Sequence, residues 1–204
     1  MDLAQRIRQA LAAVSDSDKA PAMQAYMKSQ MPFLGVQKLA RTQVLRPLLR
    51  GVDDQEAIPA ARHLWDEAEY REHRYAALAL LRGRVLDEEL VRHLIVTGAW
   101  WDYVDEIATK LLPRGIDLRA WAVDDDMWIR RAAILSQVGD KADTDADLLR
   151  DVIEANSHDR RFWITKAIGW ALRDYARTDP QWVRDFVTSH ELAPLSVREA
   201  TKHL

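Results

Sequence analysis

No cysteine occurs among the 204 residues, which excludes disulfides, a thiolate nucleophile and any thiolate metal site. No apolar run approaches the roughly 20 residues needed to span a bilayer. The first residues, MDLAQRIRQALAAV, alternate charge with apolar side chains and lack the continuous hydrophobic stretch of a secretory signal. Strand-like alternation and hairpin dipeptides such as Asn-Gly are missing, so nothing indicates a sheet. The phosphate-cradling and nucleophile motifs G-x-x-x-x-G-K-S/T, G-x-G-x-x-G and G-x-S-x-G do not occur. The histidines never form H-E-x-x-H, and without cysteine a zinc site would need distant partners. No metal or other cofactor is expected, and the chain reads as a cytoplasmic protein.

What is present is helical periodicity, nearly end to end. LAQRIRQALAAV places Leu3, Ile7, Ala10, Leu11 and Val14 on one stripe, and HRYAALALLRGRV reads likewise. Breaks recur at short intervals, among them MPFLGV, RGVDDQ, LPRGID and LAPLS. Asp179-Pro180 supplies a helix cap followed by proline at the first helical position, and Ser196 with Glu199 has capping-box spacing. About a dozen short helices with short connectors imply an all-α chain of stacked helix pairs. The segments WWDYVDEIATKLL, MWIRRAAILSQV and FWITKAIGWALRDYA each open with tryptophan, carry a charge one turn later and continue as an apolar helix. This loose repeat favours a curved solenoid whose inner helices line a concave surface, with residues 1–204 forming a single domain.

The formal net charge of −3 argues against a nucleic-acid binder only on average. Residues 21–50 carry Lys28, Lys38, Arg41, Arg46 and Arg50 and no acid, while residues 53–72 are strongly acidic. One basic face is compatible with such patterning. On the candidate inner helices, Trp101 and Asp105 stand at i and i+4, Trp128 and Arg131 at i and i+3, and Trp170 and Arg173 at i and i+3. Aromatic faces beside guanidinium groups and one carboxylate suit a groove that holds a charged polymer. Each element also has an ordinary explanation. A helical tryptophan is usually core, an arginine nearby is often stem packing, and Asp105 beside Glu106 complements a helix dipole.

Five ordered segments carry a resemblance: YMKSQMPFLGVQ (26–37), TGAWWDYVD (97–105), WIRRAAIL (128–135), KAIGWALRDYA (166–176) and ELAPLSVREATKHL (191–204). Through them the chain resembles the AlkD-like family of bacterial DNA glycosylases, built from HEAT-like helical repeats. The resemblance implies excision of N3- and N7-alkylated purines from double-stranded DNA, with the lesion left stacked in the duplex. It implies a catalytic Asp105, with Trp101 and Trp170 cradling the deoxyribose and Arg131 gripping the backbone beside the lesion. Tyr26 and Arg173 match groove residues, and Lys28 and Lys166 join them as expected phosphate contacts, as do Lys38, Arg41, Arg130, Arg160 and Arg161. On this reading Trp100 packs inward while Trp101 and Asp105 face the DNA. The chain stops directly after ATKHL, where members of the resembled family run a little further. No catalytic consequence is expected from this, and a monomer is expected. A non-catalytic binder of damaged or branched DNA, and a helical scaffold without a DNA role, stay open alternatives at this point.

Overall fold

The structure, a computed structural model, describes residues 1–204. The chain is all-α, with thirteen α-helices, a short 3-10 turn at Lys141–Asp143 and no strand. It divides into two compact units, Met1–Arg84 and Val85–Leu204.

The first unit comprises α1 (Leu3–Ala12), α2 (Ala20–Met27), α3 (Lys38–Leu49), α4 (Asp54–Asp66) and α5 (Arg71–Leu81). Leu3, Ile7 and Leu11 recur one turn apart and are buried, as the periodicity requires, where α1 packs on α3, α4 and α5. Burying side chains of that size contributes about 1.5–3 kcal/mol each. The expected stripe stops one turn early: Ala10 is half-buried, and Val14 is exposed because the helix has already ended at Ala12. Trp65 is fully buried, with the Arg74 guanidinium 4.8 Å from its ring centroid.

The acidic stretch 53–72 is not a uniformly solvated face. Asp53 caps α4, and Glu72 is buried with its carboxylate accepting the N–H groups of Leu34 and Val36 at 3.0 and 2.9 Å. These bonds pin the loop that leads into α3. Gly35 lies in that loop at φ +84°, and a Cβ there would stand 1.9 Å from the Asp16 carbonyl oxygen. Only glycine passes.

The second unit comprises α6 (Glu88–Gly98), α7 (Trp101–Lys110), α8 (Leu118–Ala122), α9 (Met127–Leu135), α10 (Ala146–Glu154), α11 (Phe162–Tyr175), α12 (Pro180–Ser189) and α13 (Pro194–Ala200). Helices α7, α9, α11 and α13 pack side by side in that order. Behind them α6 rests on α7 and α9, α8 on α9 and α10, and α12 on α11 and α13. The three helices that open with tryptophan are therefore consecutive neighbours.

Aspartates start many of these helices. Asp2, Asp53, Asp87, Asp117, Asp126, Asp145 and Asp179 each accept a backbone N–H in the first turn. Such caps contribute about 1 kcal/mol each and oppose the helix dipole favourably. Asp179 does so as its sequence context predicts, ahead of Pro180 at the first helical position. The expected Ser196–Glu199 capping box does not form. Helix α13 begins at Pro194 with Ala193 at the cap, which leaves Ser196 inside the helix and fully buried. Its hydroxyl donates instead to the Thr165 carbonyl of α11 at 2.8 Å.

Gly169 permits this close approach. A Cβ on it would meet the Glu199 Cβ at 2.5 Å and the Ser196 carbonyl oxygen at 3.0 Å. Gly169→Ala should therefore lower stability by about 1–3 kcal/mol through overpacking, although alanine gains about 1 kcal/mol in helix propensity. Urea denaturation measures this, and an unchanged or raised midpoint would contradict it.

Candidate active site

Because α7, α9 and α11 lie side by side, the tryptophans that open them gather at one end. Trp163 stands at the centre. Its ring centroid lies 5.6 Å from that of Trp100, 5.9 Å from Trp128 and 6.4 Å from Trp101, the last nearly parallel at 18°. All four indoles are half-buried, so they form a partly exposed aromatic surface. Trp100 does not enter the apolar core as expected. It precedes the helix in extended backbone (φ −147°, ψ 145°), so the helical separation of adjacent side chains does not apply to it. It packs edge-on against Trp163, and its indole N–H is buried without an acceptor.

Asp105, one turn after Trp101, points at the neighbouring helix. Its two carboxylate oxygens accept from Arg131 Nε at 2.8 Å and Nη2 at 3.0 Å, a bidentate pair. Arg131 is 4% exposed and Asp105 13%. The remaining guanidinium nitrogen donates to the Trp163 carbonyl, and the guanidinium carbon lies 5.7 Å from the Trp163 ring centroid. Arg131 is the residue expected to grip the DNA backbone. The structure buries it between α7 and α11, with every guanidinium nitrogen bonded. Each Nη carries a second N–H beyond these bonds. Burial pushes the Asp105 carboxyl above its usual value of 3.8, and the Arg131 hydrogen bonds and charge oppose that rise.

The exposed edge of α11 continues the surface. Trp163, Lys166, Trp170 and Arg173 fall at helical spacing and are all half-buried, whereas the positions between them are buried. Trp170 thus shares a face with Trp163 but stands two turns along, about 10 Å by helical rise. The indole that stacks on Trp101 is Trp163, a repeat tryptophan absent from the site expected from the sequence. Its position at the opening of the third repeat helix was the available signal. Lys166 and Arg173 both pair with Glu199 of α13, at 3.1 and 2.7 Å. Arg130 and Arg161 share Asp159, whose carboxyl they hold down at about 2, Arg161 more strongly. Arg160 donates to the Ser157 carbonyl at 3.1 Å and lies a looser 3.8 Å from exposed Glu191.

Tyr26 and Lys28 belong to the first unit. Tyr26, in the last turn of α2, is 79% exposed, and Lys28 follows it in a left-handed cap conformation at φ 48°. Lys38 is exposed at the start of α3, and the Arg41 guanidinium lies 4.3 Å from the Tyr75 ring centroid.

Residues 7–204 match the sequence family described as DNA alkylation repair enzyme. The chain belongs to that family. A solved structure from Enterococcus faecalis, described as a predicted DNA alkylation repair enzyme, is 29% identical and superposes with a TM-score of 0.81, covering 93% of this chain and 96% of that one. No curated protein matches the chain. Membership places the protein in DNA alkylation repair, and none of its helices is long and apolar enough to cross a membrane.

Removing Arg131 from this family member would leave a buried carboxylate unpaired. Arg131→Met should cost about 3–5 kcal/mol at neutral pH. Without its partner the Asp105 carboxyl rises further, so the folded state binds a proton more readily than the unfolded state. The loss should then shrink as pH falls through that raised value. Urea denaturation at pH 5 and pH 8 checks this, and a pH-independent loss would contradict it.

Proposed function

We propose that the protein is a monofunctional DNA glycosylase that hydrolyses the N-glycosidic bond of N3- and N7-alkylated purines in duplex DNA. Residues 1–204 would act as one HEAT-like repeat domain. The observation that supports this best is a carboxylate, Asp105, fixed by a bidentate buried arginine beside the stacked indoles of Trp101 and Trp163.

Alkylation at N3 of adenine or N7 of guanine places a positive charge on the base. When the bond from C1′ to the base nitrogen breaks, its electron pair goes to the base, which departs neutral and needs no general acid. The deoxyribose is left with oxocarbenium character, as in sugar hydrolysis. Water adds to C1′ and loses a proton, giving the free base and an abasic site.

An ionised carboxylate about 4 Å from the developing cation is worth roughly 4 kcal/mol at an effective dielectric of 20. That corresponds to about a thousand-fold in rate if it acts wholly on the transition state. Pairing with Arg131 removes part of this. A phosphate taking up the second N–H of each Nη would shift the guanidinium's charge away from Asp105 and return part of the effect. In this proposal Arg131 both orients the carboxylate and meets the backbone. The faces of Trp101 and Trp170 add attraction as the sugar becomes positive. Tyr26, Lys28, Lys166 and Arg173 are proposed as DNA contacts. Recognition through backbone and charge, with the base left stacked, would select lesions by the lability of a cationic base rather than by base edges.

The test is release of free base from duplex containing 7-methylguanine. Asp105→Asn should slow release by about two to three orders of magnitude. The rate should also fall with acidity, because protonation removes the anion, and this limb should lie above the ordinary carboxylate range since burial raises the Asp105 carboxyl. No release above the spontaneous rate, with duplex binding intact, would leave a non-catalytic binder of damaged DNA.

A further inference from the structure

The carboxylate of Glu199 does not serve the cap for which its spacing to Ser196 suits it. Its Oε1 lies 3.1 Å from the Lys166 ammonium, and its Oε2 accepts from Arg173 Nη1 at 2.7 Å. Lys166 and Arg173 stand on either side of Trp170 along one face of α11. One carboxylate therefore joins the two cations that bracket an indole of the candidate site.

The exposures give the arrangement a direction. Glu199 is 16% exposed, Arg173 23% and Lys166 37%, so the acid sits behind and the cations keep a side toward solvent. The cluster carries a net charge of one positive unit, since the pairing hydrogen bonds hold the Glu199 carboxyl below its usual range, Lys166 most strongly. The carboxylate is also fixed from its own side. Gly169 admits α13 to near contact at the Glu199 Cβ, and the Ser196 hydroxyl binds the Thr165 carbonyl. Ser196 and Ala200, both fully buried, already dock α13 on α11. Partly exposed ion pairs contribute little to stability, so the bridge is not needed to hold the helix.

We infer that Glu199 is a positioning residue, which holds Lys166 and Arg173 at a set separation across Trp170 so that both meet the DNA backbone while the sugar lies against the indole. The inference rests on the glycosylase reading above. Long cationic side chains lose rotamer freedom on binding phosphate, and a carboxylate that has already ordered them removes that cost where the sugar must be aligned with Asp105. Position and net charge then act separately. Bulk affinity for duplex follows charge, whereas the rate at saturation follows alignment.

Two variants of the full chain separate these effects. Glu199→Asp keeps the charge but shortens the reach, and Glu199→Gln keeps the size but removes the charge. Each is measured for single-turnover release of 7-methylguanine at saturating protein, for binding to undamaged duplex across a salt series, and for thermal midpoint. Both should lose about ten- to a hundredfold in saturated rate. Glu199→Asp should bind undamaged duplex like the wild type, and Glu199→Gln at least as tightly with no shallower salt slope. Wild-type rates in both variants, or a parallel loss of rate, affinity and thermal midpoint, would overturn the inference alone. A wild-type chain that binds duplex but releases no base would overturn the glycosylase reading, and this one with it.

Discussion

One buried guanidinium ties three neighbouring helices together. Arg131, on α9, donates in parallel to both oxygens of Asp105 on α7 and, from its third nitrogen, to the Trp163 carbonyl on α11. A pair so enclosed is a poor source of net stability, because desolvating both ions offsets most of their attraction. It is an effective source of order. The carboxylate cannot turn, and α7 and α11 are held on either side of α9. Trp163 is thereby set beneath Trp101. Burial raises the Asp105 carboxyl while the arginine lowers it.

The same economy explains how a chain of net charge −3 can serve DNA. Many of its acids are engaged by hydrogen bonds and ion pairs within the chain. Aspartates close helix N-termini, Glu72 pins the loop at Leu34 and Val36, and Asp159 and Glu199 each hold two cations. Of these cations, Lys166 and Arg173 lie on the edge of α11 that carries Trp163 and Trp170. Charge counted over the chain conceals such a division of labour, since what a polyanion meets is the local surface.

The sequence made visible whatever depends on neighbours along the chain. The stripe of Leu3, Ile7 and Leu11, the Asp179-Pro180 start of α12 and the i, i+4 relation of Trp101 to Asp105 need only the pitch of one helix. Its limits appear where helices meet. Nothing in local spacing pairs Asp105 with Arg131, because that pairing depends on how α7 lies against α9. Trp163 stacks on Trp101 for the same reason, since the helix openings align only once the repeat is packed. Trp100 escaped the helical rule by preceding the helix. Ser196 and Glu199 have the spacing of a cap, yet the proline start of α13 and the small Gly169 surface turn both toward α11. Trp100 apart, contacts between elements distant in sequence decided the outcome.

The most direct measurement is the carboxyl carbon resonance of Asp105, followed by NMR across pH in the isotope-labelled protein. A midpoint above that of an ordinary aspartate is expected, because burial outweighs the opposing pull of Arg131. A midpoint at or below 3.8, the unperturbed value, would contradict it.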